Sequence, residues 1–223
     1  MNKHKRAVLF VNGDATPGFS VRIEPSDWLV AVDGGLRHIL ARNRLPDLLV
    51  GDLDSVEPHQ LALCEAADVE ILRFSPVKDQ TDLELALGVV LTRGFKHIVI
   101  AYAQGSRPDH SLANMSLLAS PDLLKTDVKL DDGKTTIVMV NNHGKRSIST
   151  EPGDLVSLIP WGISAKGITT QNLQYPLNDE TLLPWQSRGV SNVATANNVT
   201  IRLTEGALFI IHTKPITGYK GKA

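Results

Sequence analysis

Roughly the first 130 residues alternate short β-branched apolar runs with segments of helical periodicity, and this alternation constrains the fold more than any other feature. It predicts a largely parallel sheet with crossover helices. The clearest helix follows Asp79, where Thr81 and Glu84 have capping-box spacing and Gly94 marks the expected end. The predicted strands cover residues 7–11, 28–32, 48–50, 69–74, 97–101 and 128–130.

After a turn signal at residues 131–133 the helical pattern disappears, and short alternating segments separated by Gly, Asn, Pro and Asp take over. This change predicts a smaller all-β domain, a sandwich or jelly roll rather than a closed barrel. We therefore predict an α/β domain over residues 1–132 and a β-sandwich domain over residues 133–223. The predicted strands of the second domain cover residues 136–140, 146–149, 155–159, 190–194, 199–203 and 208–212.

Composition narrows the classes of function. A net charge of -1 over 223 residues supplies no basic field, which argues against nucleic-acid binding through phosphate neutralisation. No apolar stretch is long enough to span a bilayer, and the N-terminal segment does not read as a signal peptide, so we expect no membrane association. The single cysteine, Cys64, excludes an intrachain disulfide and suits a reducing compartment, which predicts a cytoplasmic protein.

Three acidic stretches carry the functional signal, and each follows a predicted strand. The first contains Asp52 and Asp54, the second Asp79 and Asp82, and the third Asp109. Because the carboxyl ends of parallel strands lie at the same edge of a sheet, we expect the three stretches to converge. Open α/β sheets bind their ligands at that edge.

Each stretch also has a purely structural interpretation. Asp54 and Ser55 could cap the helix that follows them, and Asp79 could cap the next one. Asp109 could likewise be a cap, with Arg107 in a surface ion pair. Convergence of all three stretches at one edge favours a functional role over three separate caps.

Oxygen-rich loops with a few cations are suited to phosphate chemistry. Asp52 and Asp54, one residue apart, can aim at one Mg²⁺ ion, whose shell is completed by water and substrate phosphates. Arg107 can clamp a phosphate bidentately and Lys78 can neutralise one. The glycine-rich turn that begins at Asp33 would let the backbone approach a nucleotide closely. Together these features predict a Mg-nucleotide site for phosphoryl transfer.

In order and spacing, these motifs resemble the thiamine pyrophosphokinase family, and the resemblance covers most of the chain. The motifs of the first domain are Asp33-Gly34-Gly35, Gly51-Asp52-Leu53-Asp54-Ser55, Lys78-Asp79-x-Thr81-Asp82 and Gly105-x-Arg107-x-Asp109-His110. Those of the second are Ser157-Leu158-Ile159-Pro160, Leu173-Gln174-Tyr175-Pro176-Leu177 and Gly189-Val190-Ser191-Asn192.

The resemblance implies transfer of the pyrophosphoryl group of ATP to the hydroxyl of thiamine, giving thiamine diphosphate and AMP. It further implies a homodimer with its active site at the subunit interface, a nucleotide-binding catalytic first domain and a thiamine-binding, dimerising second domain. The implied site residues are Asp52, Asp54 and Asp82 for Mg²⁺; Asp33, Lys78, Asp79, Arg107 and Asp109 for ATP; and Thr170, Tyr175, Ser191 and Asn192 for thiamine. From their place in the acidic stretches, we further predict Asp54, Asp82 and Asp109 as catalytic residues.

One departure from the family pattern is Asn172, where relatives often carry glycine. Asparagine tolerates left-handed backbone better than most residues, so we expect the loop to keep its conformation. Tyr175 stands where some relatives have tryptophan and would offer the thiazolium cation a smaller face.

Two other functions stay open on the residues alone. A pyrophosphokinase of another alcohol, such as a hydroxymethylpterin, would need the same ATP and metal groups. A catalytically inactive nucleotide-binding regulator would keep the same pocket. The thiamine-like segments of the second domain argue against the former, and the complete set of acidic positions argues against the latter.

Overall fold

The computed structural model of the chain describes residues 6–215, which form two compact units. The first unit ends at Gly133 and the second begins at Lys134. Strands and helices alternate in the first, whereas strands of the second pair in antiparallel fashion. The predicted fold class, α/β followed by a smaller all-β part, is confirmed.

The sheet of the first unit is parallel throughout its described strand pairs. Its strands are β1 (Ala7–Phe10), β2 (Trp28–Val32), β3 (Leu48–Gly51), β4 (Glu70–Arg73), β5 (His97–Ala101) and β6 (Asp127–Asp131). They follow the spatial order β6-β5-β1-β2-β3-β4. Every residue of β1, β2 and β3 is buried, which explains why these strands read as continuous apolar runs.

The sheet order reverses between β1 and β5. Both β2 and β5 pair with β1, one on each side. Strands β2, β3 and β4 follow one another on one side of β1, and the chain then crosses to the other side of β1 to form β5. In parallel sheets, such a reversal leaves a crevice outside the carboxyl ends of the strands, where ligands bind.

The helices of the first unit connect these strands. They are α1 (Leu36–Leu40), α2 (Pro58–Ala66), α3 (Asp82–Thr92) and α4 (Pro108–Leu117), with 3-10 turns at Asp33–Gly35 and Pro121–Leu123. Within residues 6–215, no helix has the length and apolar character that crossing a membrane requires.

The start of α3 follows the predicted capping pattern. Thr81 is the N-cap residue, and its hydroxyl accepts a hydrogen bond of 3.2 Å from the backbone N–H of Glu84. Asp79 lies two residues before this cap, so the interpretation of Asp79 as the cap is wrong. The threonine takes that role because its backbone is extended and it directly precedes the first helical residue.

Proline, rather than an acidic cap, begins both α2 and α4. Glu57 and Arg107 occupy the N-cap positions, and neither side chain caps its helix. The interpretation of Asp54, Ser55 and Asp109 as caps is therefore wrong. Proline suits the first helical position, because it has no N–H there to satisfy and its fixed φ matches the helix.

The second unit is a two-layer sandwich. Its strands are β7 (Thr135–Asn141), β8 (Lys145–Ser149), β9 (Leu155–Pro160), β10 (Ala165–Gln171), β11 (Glu180–Leu182), β12 (Asn192–Val193), β13 (Asn198–Arg202) and β14 (Ala207–Thr213). One layer has the order β12-β9-β14-β7 and the other β11-β10-β13-β8. Side chains of both layers share one core, including Leu158 and Ile210 from the first layer and Ile168 and Ile201 from the second.

Strands β10 and β11 were not predicted from the sequence. Gly167 interrupts the apolar alternation of β10 with a φ of +63°, and the register with β11 shifts between Ala165 and Ile168. This irregularity is a β-bulge, and its extra residue interrupts the two-residue alternation of apolar and polar side chains by which strands are predicted.

The predicted strand at residues 190–194 shortens to the two residues of β12. Val190 donates its N–H to Ser187 O in a turn, and Ser191 has a φ of +61°. A left-handed residue cannot continue a strand, so pairing with β9 begins only at Asn192.

Candidate active site

A pocket of about 450 Å³ opens at the carboxyl ends of the parallel strands, within the first unit. The segments after β1, β2 and β5 line it, together with the first turns of α3 and α4. Asp33, Asp82 and Arg107 are among its lining residues, so three side chains from separate motifs lie around one cavity. The volume is in the range of small-molecule binding sites.

Asp33 links the end of β2 to the segment that follows β3. Its Oδ1 accepts a hydrogen bond from Leu53 N at 3.1 Å, and its Oδ2 accepts one from Ser55 Oγ at 2.7 Å. Ser55 Oγ in turn accepts the N–H of Gly34 at 3.1 Å. Asp33 has a φ of +51°, a conformation that aspartate tolerates better than most residues. These bonds fix its carboxylate before any ligand arrives.

The segment after β3 turns sharply at Leu53, whose φ is +68°. Such backbone is costly for a bulky residue and persists only where the surroundings enforce it. Here Leu53 is buried in the apolar core, and its N–H is held by Asp33. Asp54 N donates to Asp52 Oδ1 at 3.2 Å, while the Asp54 side chain stays exposed.

Three carboxylates meet at this wall. Asp33, Asp52 and Asp82 each offer an oxygen, and these oxygens lie within 4.8 Å of one another. Burial raises the pKa of Asp33 despite the hydrogen bond from Ser55, and the charges of the neighbouring carboxylates raise it further. Clustered carboxylate oxygens are the ligands that a hard divalent cation requires. As the structure places it, Asp54 is not in this group.

Lys78 is the cation nearest to the cluster among the described ion pairs. Its Nζ lies 2.8 Å from Asp82 Oδ1 and 3.8 Å from Asp52 Oδ2, and its side chain is only 16% exposed. Burial alone would lower the pKa of Lys78, but the hydrogen bond and charge of Asp82, with the charges of Asp52 and Asp33, raise it above its usual value. The lysine is therefore fully protonated at neutral pH.

The opposite wall, after β5, is more open. Arg107 donates from Nη2 to Asp109 Oδ2 at 2.6 Å and from Nε to Oδ1 at 3.3 Å, yet the two side chains are 67% and 63% exposed. The hydrogen bond from Arg107 is the main cause that lowers the pKa of Asp109. Ser111 Oγ accepts the N–H of Gly105 and fixes the loop, and His110 lines the pocket. The predicted surface ion pair is present, at the rim of the pocket.

The segment after β1 lines the pocket but was not predicted as part of the site. Gly13 donates its N–H to Tyr102 O at 3.0 Å, and a Cβ at Gly13 would lie 2.1 Å from that oxygen, so no larger residue fits. Gly13 O accepts hydrogen bonds from His38 Nε2 at 2.9 Å and Arg37 Nη2 at 2.8 Å. The sequence signal was its position, since Asn12-Gly13-Asp14 follows the first predicted strand.

The predicted thiamine residues lie in the second unit, around the loop that carries Tyr175. Thr170 is buried and its Oγ1 accepts Leu177 N at 2.8 Å. Asn192 is also buried; its Oδ1 accepts Tyr175 N at 3.0 Å and its Nδ2 donates to Tyr175 O at 2.7 Å. The Tyr175 residue itself is 63% exposed. Thr170 and Asn192 thus shape the loop, and Tyr175 presents its ring.

Asn172 and Ser191 lie in the same region, and they differ in whether the side chain or the backbone forms the hydrogen bond. Asn172 has a φ of +65° and its Nδ2 donates to Asn198 O at 2.8 Å, so the expected left-handed backbone is confirmed. Ser191 is exposed and uses its backbone N–H, rather than its hydroxyl, to bond Ser157 Oγ at 3.0 Å.

Two family models match the chain. The thiamin pyrophosphokinase catalytic domain matches residues 19–130, and the thiamin pyrophosphokinase vitamin B1 binding domain matches residues 142–208. The thiamine pyrophosphokinase of Bacillus subtilis (strain 168) is 27% identical over 184 residues, which cover 82% of this chain and 86% of that protein.

Solved structures share the fold. The crystal structure of thiamine pyrophosphokinase from Bacillus subtilis has a TM-score of 0.82 at 24% identity, covering 95% of this chain and 99% of that one. A thiamin pyrophosphokinase family protein from Enterococcus faecalis has a TM-score of 0.80 at 24% identity, covering 96% and 100%. The resemblance seen in the sequence motifs is confirmed, and the chain belongs to the thiamine pyrophosphokinase family.

Proposed function

We propose that this enzyme transfers the pyrophosphoryl group of ATP to the hydroxyl of thiamine, giving thiamine diphosphate and AMP. One observation carries the proposal: Asp33, Asp82 and Arg107 line the pocket at the carboxyl ends of the parallel strands, within the part of the chain that matches the family's catalytic domain. Asp52 and Lys78 adjoin this pocket through their proximity to Asp82. Charge development during phosphoryl transfer is stabilised by such fixed cations and metal-binding groups.

The carboxylate cluster fits Mg²⁺, because its donors are all carboxylate oxygens and come from three separate segments of the chain. Asp33, Asp52 and Asp82 would hold the ion, and Asp54 would join them from its exposed position on the same loop as Asp52. Bound Mg²⁺ would neutralise charge on the phosphate oxygens of ATP. Asp33 thereby gains a role beside the nucleotide contact expected from its motif.

The nucleotide would lie along the pocket, with its phosphates between the two walls. Arg107 has the fork of donors suited to phosphate oxygens, and its exposed partner Asp109 can release or orient it. Lys78 would reach the phosphates from the segment before α3, where it contacts Asp82 of the pocket lining. Asp79, exposed ahead of α3, would contribute through its charge rather than as a cap.

The reaction is an in-line displacement at the β-phosphorus. The thiamine hydroxyl oxygen forms the new bond, the bond from the β-phosphorus to the oxygen that bridges to the α-phosphorus breaks, and AMP leaves with those electrons. A carboxylate accepts the hydroxyl proton, from among Asp54, Asp82 and Asp109. The hydrogen bond from Arg107 lowers the pKa of Asp109, which makes this carboxylate a weaker base than an ordinary aspartate.

Tyr175 would stack on the cationic thiazolium ring of thiamine, since its exposed ring offers a π face. Thr170 and Asn192 would support it by holding its loop, and Ser191 would contact the substrate. The match to the family's vitamin B1 binding domain favours thiamine over a pterin alcohol as the acceptor.

The enzyme would work as a homodimer with its active site at the subunit interface. Large exposed side chains on the second unit support a self-association surface there: Tyr175, Trp185 and Val190 are 63%, 77% and 49% exposed. A cytoplasmic location is proposed from the single, buried cysteine, which suits a reducing compartment.

The activity is tested by incubating the purified protein with ATP, Mg²⁺ and thiamine and identifying the products by mass. We expect thiamine diphosphate and AMP in equal amounts. When a hydroxymethylpterin replaces thiamine, we expect neither AMP nor a pterin diphosphate. Production of ADP with thiamine monophosphate, or of AMP with a pterin diphosphate, would contradict the proposal. Mixing two inactive variants, Asp52→Asn and Tyr175→Ala, tests the shared site, because a mixed dimer would regain activity only if both subunits contribute.

A further inference from the structure

Lys78 and a divalent cation would use the same two carboxylates, those of Asp52 and Asp82. The ammonium of Lys78 lies 2.8 Å from Asp82 and 3.8 Å from Asp52, and both carboxylates belong to the cluster of three. The lysine side chain is 16% exposed, as are the carboxylate of Asp52 at 16% and that of Asp82 at 23%. The ammonium is therefore seated among the carboxylates rather than in solvent.

We infer that Lys78 is a built-in competitor of the divalent cation: it neutralises the carboxylate cluster until the cation displaces it. The inference rests on the proposed function, because it takes the cluster as the cation site. Two positive charges at one cluster repel each other, so a divalent ion binds Asp82 and Asp52 less tightly while the ammonium stays in contact with them.

Competition has a second consequence at the nucleotide. Lys78 carries its charge on a flexible stem four residues ahead of Asp82, so the displaced ammonium can turn to phosphate oxygens in the adjoining pocket. Nucleotide therefore lowers the cost of displacing the lysine, and the cation lowers the cost of nucleotide binding. The two ligands are coupled through one side chain, and by linkage the coupling is reciprocal.

Removing the charge of Lys78 should then strengthen cation binding, the opposite of what removing a supporting residue does. In the Lys78→Met variant without nucleotide, we expect Mn²⁺ to bind about tenfold more tightly than in the wild type, a change within the usual range of coupling between ligands. Isothermal calorimetry with MnCl₂ measures this. The gain in Mn²⁺ affinity on adding a non-hydrolysable ATP analogue should shrink in the same variant.

Two variants control for charge and folding. Lys78→Arg keeps a competing cation and should bind Mn²⁺ much as the wild type does. Lys166→Met removes a lysine from an exposed ion pair with Glu205 in the second unit and should leave Mn²⁺ affinity unchanged. Thermal unfolding gives a second readout, because in EDTA the Lys78→Met protein loses its counter-ion and should melt below the wild type, then gain more on adding Mn²⁺.

The outcomes separate this inference from the proposed cation site. If the wild type binds Mn²⁺ and Lys78→Met binds it equally or more weakly, the competition is disproved while the site stands. If neither protein binds Mn²⁺, the site and the competition both fail. Binding by Lys78→Met alone would support both, with the lysine as the stronger competitor.

Discussion

The two walls of the pocket are built in opposite ways. On the β2–β3 wall, Asp33 is tied by hydrogen bonds to Leu53 N and Ser55 Oγ, and the carboxylate cluster is largely shielded from solvent. On the β5 wall, Arg107 and Asp109 bond chiefly each other, and both are mostly exposed. Fixed groups act on the transition state without reorganising, whereas exposed groups must first be ordered by the ligand. We expect the first wall to govern turnover and the second to govern nucleotide binding.

The largest effect should come from Asp52→Asn on the fixed wall. The substitution keeps the side-chain size but removes one of three clustered charges, so we expect kcat to fall by about a thousandfold, the upper end for loss of one electrostatic stabiliser. Steady-state assays of AMP formation measure it, with circular dichroism as a check on folding. A variant with near-normal kcat would show that the cluster is not the catalytic wall.

Asp54→Asn sharpens the comparison, because Asp54 shares a loop with Asp52 but lies outside the cluster. We expect kcat to fall by about a hundredfold, since its carboxylate joins the site once substrates are bound. Mn²⁺ affinity without nucleotide should be unchanged, whereas Asp52→Asn should weaken it. Equal loss of Mn²⁺ affinity in both variants would instead make Asp54 a ligand from the outset.

Arg107→Gln probes the exposed wall. Loss of one charged hydrogen bond to phosphate should raise the KM for ATP by roughly tenfold to a hundredfold, with a smaller change in kcat. Arg22→Gln is the matched control, since Arg22 also forms an exposed ion pair, with Glu24, away from the pocket. If Arg107→Gln lowered kcat as much as Asp52→Asn does, the assignment of turnover to the first wall and nucleotide binding to the second would be wrong.

The sequence predicted the position of the acidic motifs well, because parallel strands bring their carboxyl ends together whatever the detail of each loop. It could not predict that Asp33 rather than Asp54 lies in the cluster. That outcome depends on left-handed backbone at Asp33 and Leu53 and on the bonds from Asp33 to Leu53 N and Ser55 Oγ, across some twenty residues of sequence. No periodicity records such a contact.

The sequence pattern also failed to predict structural features that depend on tertiary contacts. His38 lies on α1, which is only five residues long. It supports the pocket through its hydrogen bond to Gly13 O, 25 positions earlier in the chain. In the second unit, the bulge at Gly167 concealed β10, although the strand holds Thr170, one of the predicted thiamine residues. In both places tertiary contacts, rather than local pattern, determine the structure.

His38 gives the smallest expected effect and tests, through pH, the support of the Gly13 segment that follows β1. Burial lowers the pKa of His38 below 6.5, and the charges of Arg37 and Arg42 act in the same direction, while the Gly13 carbonyl and Asp14 oppose them. The neutral ring donates from Nε2 to Gly13 O and packs on Tyr102. Below pH 6.5 the unfolded chain therefore binds a proton that the folded chain does not.

By linkage, the free energy of unfolding that His38 contributes is fully present above pH 6.5 and is lost as the pH falls below it. His38→Gln can still donate to Gly13 O but does not titrate, so it should be about 1 kcal/mol less stable than the wild type at pH 7.5. That difference should shrink towards pH 5.5 in urea unfolding. The other histidines are present in both proteins, so their contributions cancel in the difference. Parallel stability curves would mean that His38 is not a neutral, buried support of the Gly13 segment.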